Sequence, residues 1–88
     1  MRLSYRNYLD FFGDNLESAQ IVAVMRDGSM IKNLHNPSEA VQLNAVKQNG
    51  LVIRYIDNPS EEIQLAAIAE NVFAVGQIKN PSEAVQLN

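Results

Sequence analysis

A 22-residue repeat without insertions is the feature that most restricts how this chain can fold. The tetrapeptide Asn-Pro-Ser-Glu recurs at this spacing three times, at residues 36–39, 58–61 and 80–83. One further shift aligns Asp14 with Asn36 and Gly28 with Gly50, which indicates a degenerate earlier copy. A fixed period of this length is typical of repeat proteins, in which small units stack on one another to bury a shared core.

The repeat register predicts one domain. Its parts are an N-terminal capping half-repeat at 1–13, a degenerate repeat at 14–35, repeats at 36–57 and 58–79, and a C-terminal half-repeat at 80–88. Four of the six aromatic residues lie in residues 1–13, as expected of a half-repeat that seals one end of a stack. A chain of 88 residues is long enough for one small domain.

The first half of each repeat carries the signals of a helix start. In the second copy we expect Asn36 as N-cap, Pro37 at the first helical position and Glu39 at the third, where its carboxylate can complete a capping box. The predicted helices cover approximately residues 15–26, 37–48, 59–70 and 81 to the end of the sequence.

The ends of these helices are predicted from the residues that follow them. Gly28 and Gly50 can adopt the left-handed conformation that terminates a helix. The third copy has Val72 in place of this glycine, so Asn71 is expected to end that helix.

The second half of each repeat fits a short helix better than a strand. Positions that are apolar in every copy fall at i, i+1 and i+4, and alternation fails on both possible strand faces. The predicted fold class is therefore all-α, a short α-solenoid of helix pairs. The alternative is a leucine-rich-repeat-like α/β solenoid, although the Leu-x-x-Leu-x-Leu pattern of that fold is absent.

Helical periodicity places a broad apolar face on the first helix of each repeat. This face holds Ala19, Val41, Ile63, Ala23, Ala45, Ala67, Val24, Val46, Ile68, Ile21, Leu43 and Leu65. A glutamine lies in the middle of the face in every copy, as Gln20, Gln42, Gln64 and Gln86. Buried amides need partners, so we expect either a ladder between repeats or hydrogen bonds to loop backbone. A polar binding stripe is the alternative. The opposite face, which includes Gln48 and Glu70, is expected to contact water.

The second segments carry the positions whose chemistry differs most between copies. Solenoids keep their scaffold uniform and vary the face that meets a partner. The predicted partner-binding residues are Lys32, Leu51, Arg54, Tyr55, Phe73 and Gln77. The alternative for Leu51 and Phe73 is packing against the adjacent repeat.

The C-terminal half-repeat carries a second hypothesis. Val85 and Leu87 lack the following segment that covers their counterparts in earlier copies. We therefore expect self-association through residues 81–88, as a homodimer.

Composition excludes several classes of function. There is no cysteine and His35 is the single histidine, so neither a zinc site nor another metal site is expected, and no cofactor motif is present. A Ser–His–acid set can be written from Ser38, His35 and Asp57, but Ser38 recurs in every repeat as a first-turn residue, so we expect no enzyme.

Charge and hydropathy bear on location and on nucleic-acid binding. A net charge of −3 argues against direct nucleic-acid binding, which needs a basic patch. No apolar run is long enough to span a membrane and the N-terminus lacks a signal-peptide pattern, so we expect a cytoplasmic chain without a membrane partner.

Residues 36–57 resemble an uncharacterised family of bacterial and phage repeat proteins. Its units carry Glu-x-x-x-Leu-x-Ala-Val-Lys-Gln-Asn-Gly, a short apolar segment and an Asn-Pro-Ser-Glu restart. The likeness extends over approximately residues 14–88 and departs from the pattern at Val72, which replaces a glycine. The resemblance implies a helical repeat fold and no catalytic residues.

The sequence thus predicts a non-enzymatic protein–protein interaction module that binds a protein partner of unknown identity. The alternative is a phage or prophage inhibitor that blocks a host defence protein. In that case the carboxylates at the helix starts, including Glu39 and Glu61, are expected to contact the target.

Overall fold

The structure is a computed structural model that describes residues 16–79, and all of its regular elements in that range are helices. They are α1 (Leu16–Arg26), η1 (Gly28–Asn33), α2 (Glu39–Gln48), η2 (Gly50–Tyr55), α3 (Glu61–Glu70) and η3 (Val72–Gln77), where η denotes a 3-10 helix. The predicted all-α class is confirmed, and the strand of the leucine-rich-repeat-like alternative is absent from the described range. The two half-repeats, Gln86 and the helix predicted from residue 81 lie outside the described residues.

The second segment of each repeat is a short helix, as predicted, and specifically a six-residue 3-10 helix. A single residue in extended conformation joins it to the α-helix before it: Asp27, Asn49 or Asn71. The side chain of this residue accepts a hydrogen bond from the N–H two residues later, at 2.9–3.1 Å. Because this cap is repeated in all three copies, the chain turns in the same way after each α-helix.

Contacts between elements follow the repeat order. α1 packs against α2 and α2 against α3, while η1 packs against η2 and η2 against η3. α2 also contacts η1, and α3 contacts η2. These contacts agree with stacking of successive repeats, in which α-helices form one side and 3-10 helices the other.

The core lies between these two sides. Ala19, Val24, Val41, Ala45, Val46, Ile63 and Ala67 are fully buried on the α-helices, as predicted, and Ile31, Val52, Ile53 and Ala74 on the 3-10 helices join them. Leu65 was also expected inside but is 43 % exposed. Val75, at a position that is apolar in every copy of the repeat, is 44 % exposed. Both residues belong to the last repeat described. In the repeat before it, α3 covers η2, and Ile53, the counterpart of Val75, is buried there.

The helices begin two residues later than the sequence predicted. Ser38 and Ser60 are the N-caps, and their hydroxyls accept from the N–H groups of Val41 and Ile63 at 3.3 Å. Asn36 as N-cap is therefore wrong: it lies before Pro37 with a φ of 49°, in the left-handed region that asparagine tolerates. Glu39 is the first helical residue rather than the third, so its carboxylate favours the helix through the dipole and not through a capping box.

The role predicted for Gly28 and Gly50 is also wrong. The α-helices end at extended residues before them, including the predicted Asn71 in the third copy, and no left-handed turn is used. Each glycine instead lies under the next repeat. A Cβ on Gly50 would lie 2.3 Å from the carbonyl oxygen of Ala67, and one on Gly28 would lie 2.8 Å from that of Ala45. Glycine is needed there because two backbones approach each other closely.

The glutamine column is bonded to loop backbone. Gln42 and Gln64 each donate from Nε2 to the carbonyl oxygen of the proline five residues earlier, Pro37 and Pro59, at 3.0 Å. Gln64 is buried and Gln42 is half-buried. These bonds tie the loop before each α-helix to that helix, which is one of the two arrangements the sequence predicted.

A second set of polar side chains joins consecutive repeats, and the sequence analysis missed it. Gln48 Oε1 accepts from the N–H of Gly28 at 2.7 Å, and Glu70 Oε1 accepts from the N–H of Gly50 at 2.5 Å. Both side chains are exposed overall, as expected, yet their terminal oxygens reach the preceding repeat. The hydrogen bonds between consecutive repeats are thus made by Gln48 and Glu70.

Candidate functional site

The exposed side of the 3-10 helices brings together three of the predicted partner-binding residues. Lys32 is the fifth residue of η1, and Arg54 and Tyr55 are the last two residues of η2. The Cζ of Arg54 lies 5.1 Å from the centroid of the Tyr55 ring, and the Nζ of Lys32 lies 5.9 Å from it. All three side chains are exposed. We call this group the cationic cluster.

The aromatic ring explains why two like charges lie close together. A cation within about 6 Å of a ring centroid gains about 0.5–1 kcal/mol at an exposed site. Stacking of η1 on η2 supplies the geometry, because it places Lys32 of one repeat beside Tyr55 of the next. The cluster therefore depends on two consecutive repeats and not on one.

Neither cation of the cluster forms a salt bridge with a carboxylate of residues 16–79. The salt bridge in this range joins Lys79 Nζ to Asp57 Oδ1 at 3.3 Å. Lys32 acts on Asp27 only at longer range. The pKa of Asp27 is lowered chiefly by the hydroxyl of Ser29, then by the Ser29 N–H, and lastly by the charge of Lys32.

A cleft of about 370 Å³ lies beside the cationic cluster. Its walls come from the end of η1 and the segment after it, from Gln42 of α2, and from the end of η2 and the segment after it. The cleft therefore also depends on consecutive repeats. Lys32 and Tyr55 belong to both the cluster and the cleft. The remaining polar lining consists of three amides and one carboxylate, from Asn36, Gln42, Asn58 and Asp57. We call this the inter-repeat cleft.

The other predicted partner-binding residues lie in different surroundings. Leu51 is half-buried and packs against the core, as the alternative for it proposed. Phe73 is 77 % exposed, so packing into an adjacent repeat does not apply to it among the described residues. Gln77 is half-buried at the end of η3. Val85 and Leu87, the predicted self-association residues, lie outside the described residues.

Phe73 belongs to an apolar surface that the sequence analysis only partly predicted. Val72 is 64 % exposed, and with Val75 and Phe73 it leaves three large apolar side chains of η3 in contact with solvent. The sequence indicates that position 72 differs from its counterparts, since valine replaces the glycine of the two earlier copies.

A smaller depression of about 200 Å³ lies on the α-helical side, lined by Met25, Asn44, Lys47 and Gln48. The sequence analysis did not predict it. Met25 is 59 % exposed there. The lining of this depression has one cation, Lys47, whereas the inter-repeat cleft has Lys32 on its wall and Arg54 beside it.

The residues that could be written as a catalytic set have separate roles in the structure. The hydroxyl of Ser38 caps α2, and Asp57 pairs with Lys79. His35 is exposed and its Nε2 lies 3.3 Å from the side-chain amide of Asn36. Within residues 16–79 no three His, Asp or Glu side chains are grouped so that they could hold a metal ion. None of the helices described is long and apolar enough to cross a membrane.

No protein-family model, curated protein or solved structure matches this chain.

Proposed function

We propose that the chain is a protein-interaction module whose recognition surface is the exposed side of its 3-10 helices. The observation that carries this proposal is the cationic cluster, in which Tyr55 lies within 6 Å of both Lys32 and Arg54. Exposed tyrosine and arginine are enriched among residues that dominate binding energy at protein interfaces. Phe73 extends the same side of the molecule with exposed apolar area.

The scaffold behind this surface suits recognition. The caps, glycines and glutamine bonds of the repeats are nearly identical from copy to copy, whereas position 32 and its counterparts change from Lys to Arg to Gly. A binding surface on such a scaffold can change without loss of the core, because the varied side chains are exposed. We place the module in the cytoplasm.

Site-specific photo-cross-linking tests the proposal. A benzoylphenylalanine at Asn33, an exposed position of η1, is irradiated in lysate of the source cell, and the same probe at Lys47 serves as the control site. We expect a discrete cross-linked species from position 33 that is lost with Arg54→Ala and Tyr55→Ala. Equal cross-linking from both positions, or no effect of the two substitutions, would contradict the proposal.

The inhibitor hypothesis uses a different surface. Glu39, Glu61 and Glu62 are exposed in the first turns of α2 and α3. If the chain occludes a host protein through these carboxylates, replacing all three by glutamine abolishes capture while Arg54→Ala and Tyr55→Ala retain it. The opposite outcome favours the 3-10 helix surface.

Self-association through residues 81–88 is a separate proposal. The exposed apolar side chains of η3, the described helix that precedes this segment in the sequence, support an association through this part of the chain. Sedimentation velocity over a range of concentrations is expected to show a dimer that Val85→Asp and Leu87→Asp dissociate. A monomer at every concentration would reject the proposal.

A further inference from the structure

The two positive charges of the cationic cluster form no salt bridge within residues 16–79. They share one aromatic ring. Like charges held on the same ring repel each other. An anion placed between them is attracted by both and removes part of that repulsion.

The net charge of the chain does not prevent an anion from approaching. Exposed charges farther apart than about 8 Å are largely screened at physiological ionic strength, so the local pair dominates. The carboxylate that lines the cleft, Asp57, has its own cation in Lys79. The cleft is therefore locally cationic in a chain whose net charge is −3.

The remaining lining of the inter-repeat cleft fits the main chain of a peptide. Gln42 uses its Nε2 on Pro37, and its Oε1 accepts no hydrogen bond from residues 16–79. Asn36, in the segment after η1, and Asn58, in the segment after η2, are exposed on the same cleft. Carboxamide side chains offer both donors and acceptors, which is what the N–H and C=O groups of an extended peptide require.

Other anionic ligands fit less well. A small metabolite is normally enclosed on most of its surface, whereas this cleft is open along the surface between two loops. A nucleic acid needs several phosphate contacts, and the cleft offers two cations, Lys32 on its wall and Arg54 beside it.

We infer that the inter-repeat cleft binds an extended acidic peptide segment of a partner protein, an inference that rests on the proposed interaction function. Carboxylates of the segment lie on Lys32 and Arg54, and its main chain lies against Gln42, Asn36 and Asn58. Tyr55 is a positioning residue that holds the two cations at the mouth of the cleft.

Fluorescence anisotropy with defined peptides tests this inference. The probe is a fluorescein-labelled dodecapeptide of alternating Glu and Ser, and the matched peptide carries Gln in place of Glu. We expect the Glu peptide to bind and the Gln peptide not to bind. The double variant Lys32→Gln/Arg54→Gln is expected to weaken binding about tenfold, because each exposed charge pair contributes up to about 1 kcal/mol.

Further measurements test whether the position of the charge matters, whether the Tyr55 ring matters, and whether the variants remain folded. Lys47→Gln removes a positive charge on the α-helical side and is expected to leave the affinity unchanged. Tyr55→Phe keeps the ring and retains binding, whereas Tyr55→Leu weakens it. Amide chemical shifts of the free variants report whether the fold is intact, and those of the wild-type chain are expected to move at Gln42 and Asn58 when the Glu peptide is added.

The outcomes distinguish this inference from the proposed function. Three outcomes would overturn the acidic-peptide inference. The Glu and Gln peptides bind equally well, Lys47→Gln weakens binding as much as Lys32→Gln/Arg54→Gln does, or a single-stranded oligonucleotide binds in preference to the Glu peptide. If the Glu peptide fails to bind but cross-linking from position 33 still depends on Arg54 and Tyr55, the interaction function stands and its partner is not an acidic segment.

Discussion

Gly50 and Gly76 differ sharply in what an added methyl group would meet. At Gly50 the new Cβ would lie 2.3 Å from the backbone oxygen of Ala67, which cannot move without shifting α3. At Gly76 the new Cβ would meet no residue of the described range 16–79 within 4 Å other than its chain neighbours. The first position is therefore limited by contact between repeats and the second is not.

Gly50→Ala is accordingly expected to destabilise the fold by about 1–3 kcal/mol, the usual range for an overpacked site. Gly76→Ala is its matched control and is expected to be neutral or to stabilise by up to about 1 kcal/mol, since alanine restricts the unfolded chain. Urea denaturation measures both values. Equal effects of the two substitutions would show that close packing at Gly50 is not what requires glycine.

Asp27 carries a pH-dependent contribution to stability. Hydrogen bonds from Ser29 lower the pKa of the folded carboxyl below its ordinary value of 3.8. A lowered folded-state pKa means that the stabilisation is present above the unfolded pKa and is lost as the pH falls through the folded pKa. Asp27→Asn, which reproduces the caps at Asn49 and Asn71, should retain the cap and remove this acid dependence.

An NMR titration of the Asp27 carboxyl carbon measures the folded pKa directly. The expected midpoint is below the ordinary aspartate value in the wild-type chain and rises toward it in Ser29→Ala. A midpoint at or above that value in the wild-type chain would contradict the assignment of Ser29 as the main cause.

At the scale of the element, the start of each α-helix depends on serine. Ser60→Ala is expected to cost about 1 kcal/mol, because the N–H of Ile63 loses the acceptor that caps it. Asn58→Ala is the control, since Asn58 precedes the cap and is exposed. Thermal unfolding measures the stability of both variants. A larger loss of stability with Asn58→Ala would indicate that Asn58, and not Ser60, is the N-cap.

The helical elements were predictable, and their finer geometry was not. Repeated apolar positions identified both segments, because the same residues recur at the same depth in every copy. Asn36 was predicted as the N-cap, and Ser38 is the N-cap observed. Both residue types cap helices well, so residue type alone does not decide between them and the loop conformation does. The 3-10 form of the second segments was not predicted either, because six residues hold too few turns for a periodicity to separate it from an α-helix.

The candidate site was predictable only in part, because the sequence indicates which residues are exposed but not how the loops are spaced. Variation between copies identified Lys32, Arg54 and Tyr55 as exposed, and stacking of the repeats brings them together. Leu51 is half-buried rather than exposed, because its side chain packs against the core. The inter-repeat cleft could not be derived, since it depends on the spacing of two loops that the sequence does not specify.

At the scale of the whole molecule, one side-chain oxygen at each described boundary between repeats accepts a hydrogen bond from the backbone of the repeat before. Gln48 and Glu70 occupy the same place in consecutive repeats, and each accepts from a glycine N–H of the repeat before. Repeat proteins derive their cooperativity from such nearest-neighbour terms. A substitution at one boundary should therefore act on that boundary first.

Glu70→Ala is expected to destabilise the chain by about 1–3 kcal/mol, since a charge-assisted hydrogen bond to a partly buried N–H is lost. Glu70→Gln should recover most of this, because Gln48 forms the equivalent bond without a charge. Hydrogen exchange locates the effect: the Gly50 amide should exchange faster in Glu70→Ala while the Gly28 amide keeps its protection. If both amides lose protection equally, the described repeats open as one cooperative unit, and the bond at Glu70 stabilises the whole stack rather than the boundary at which it lies.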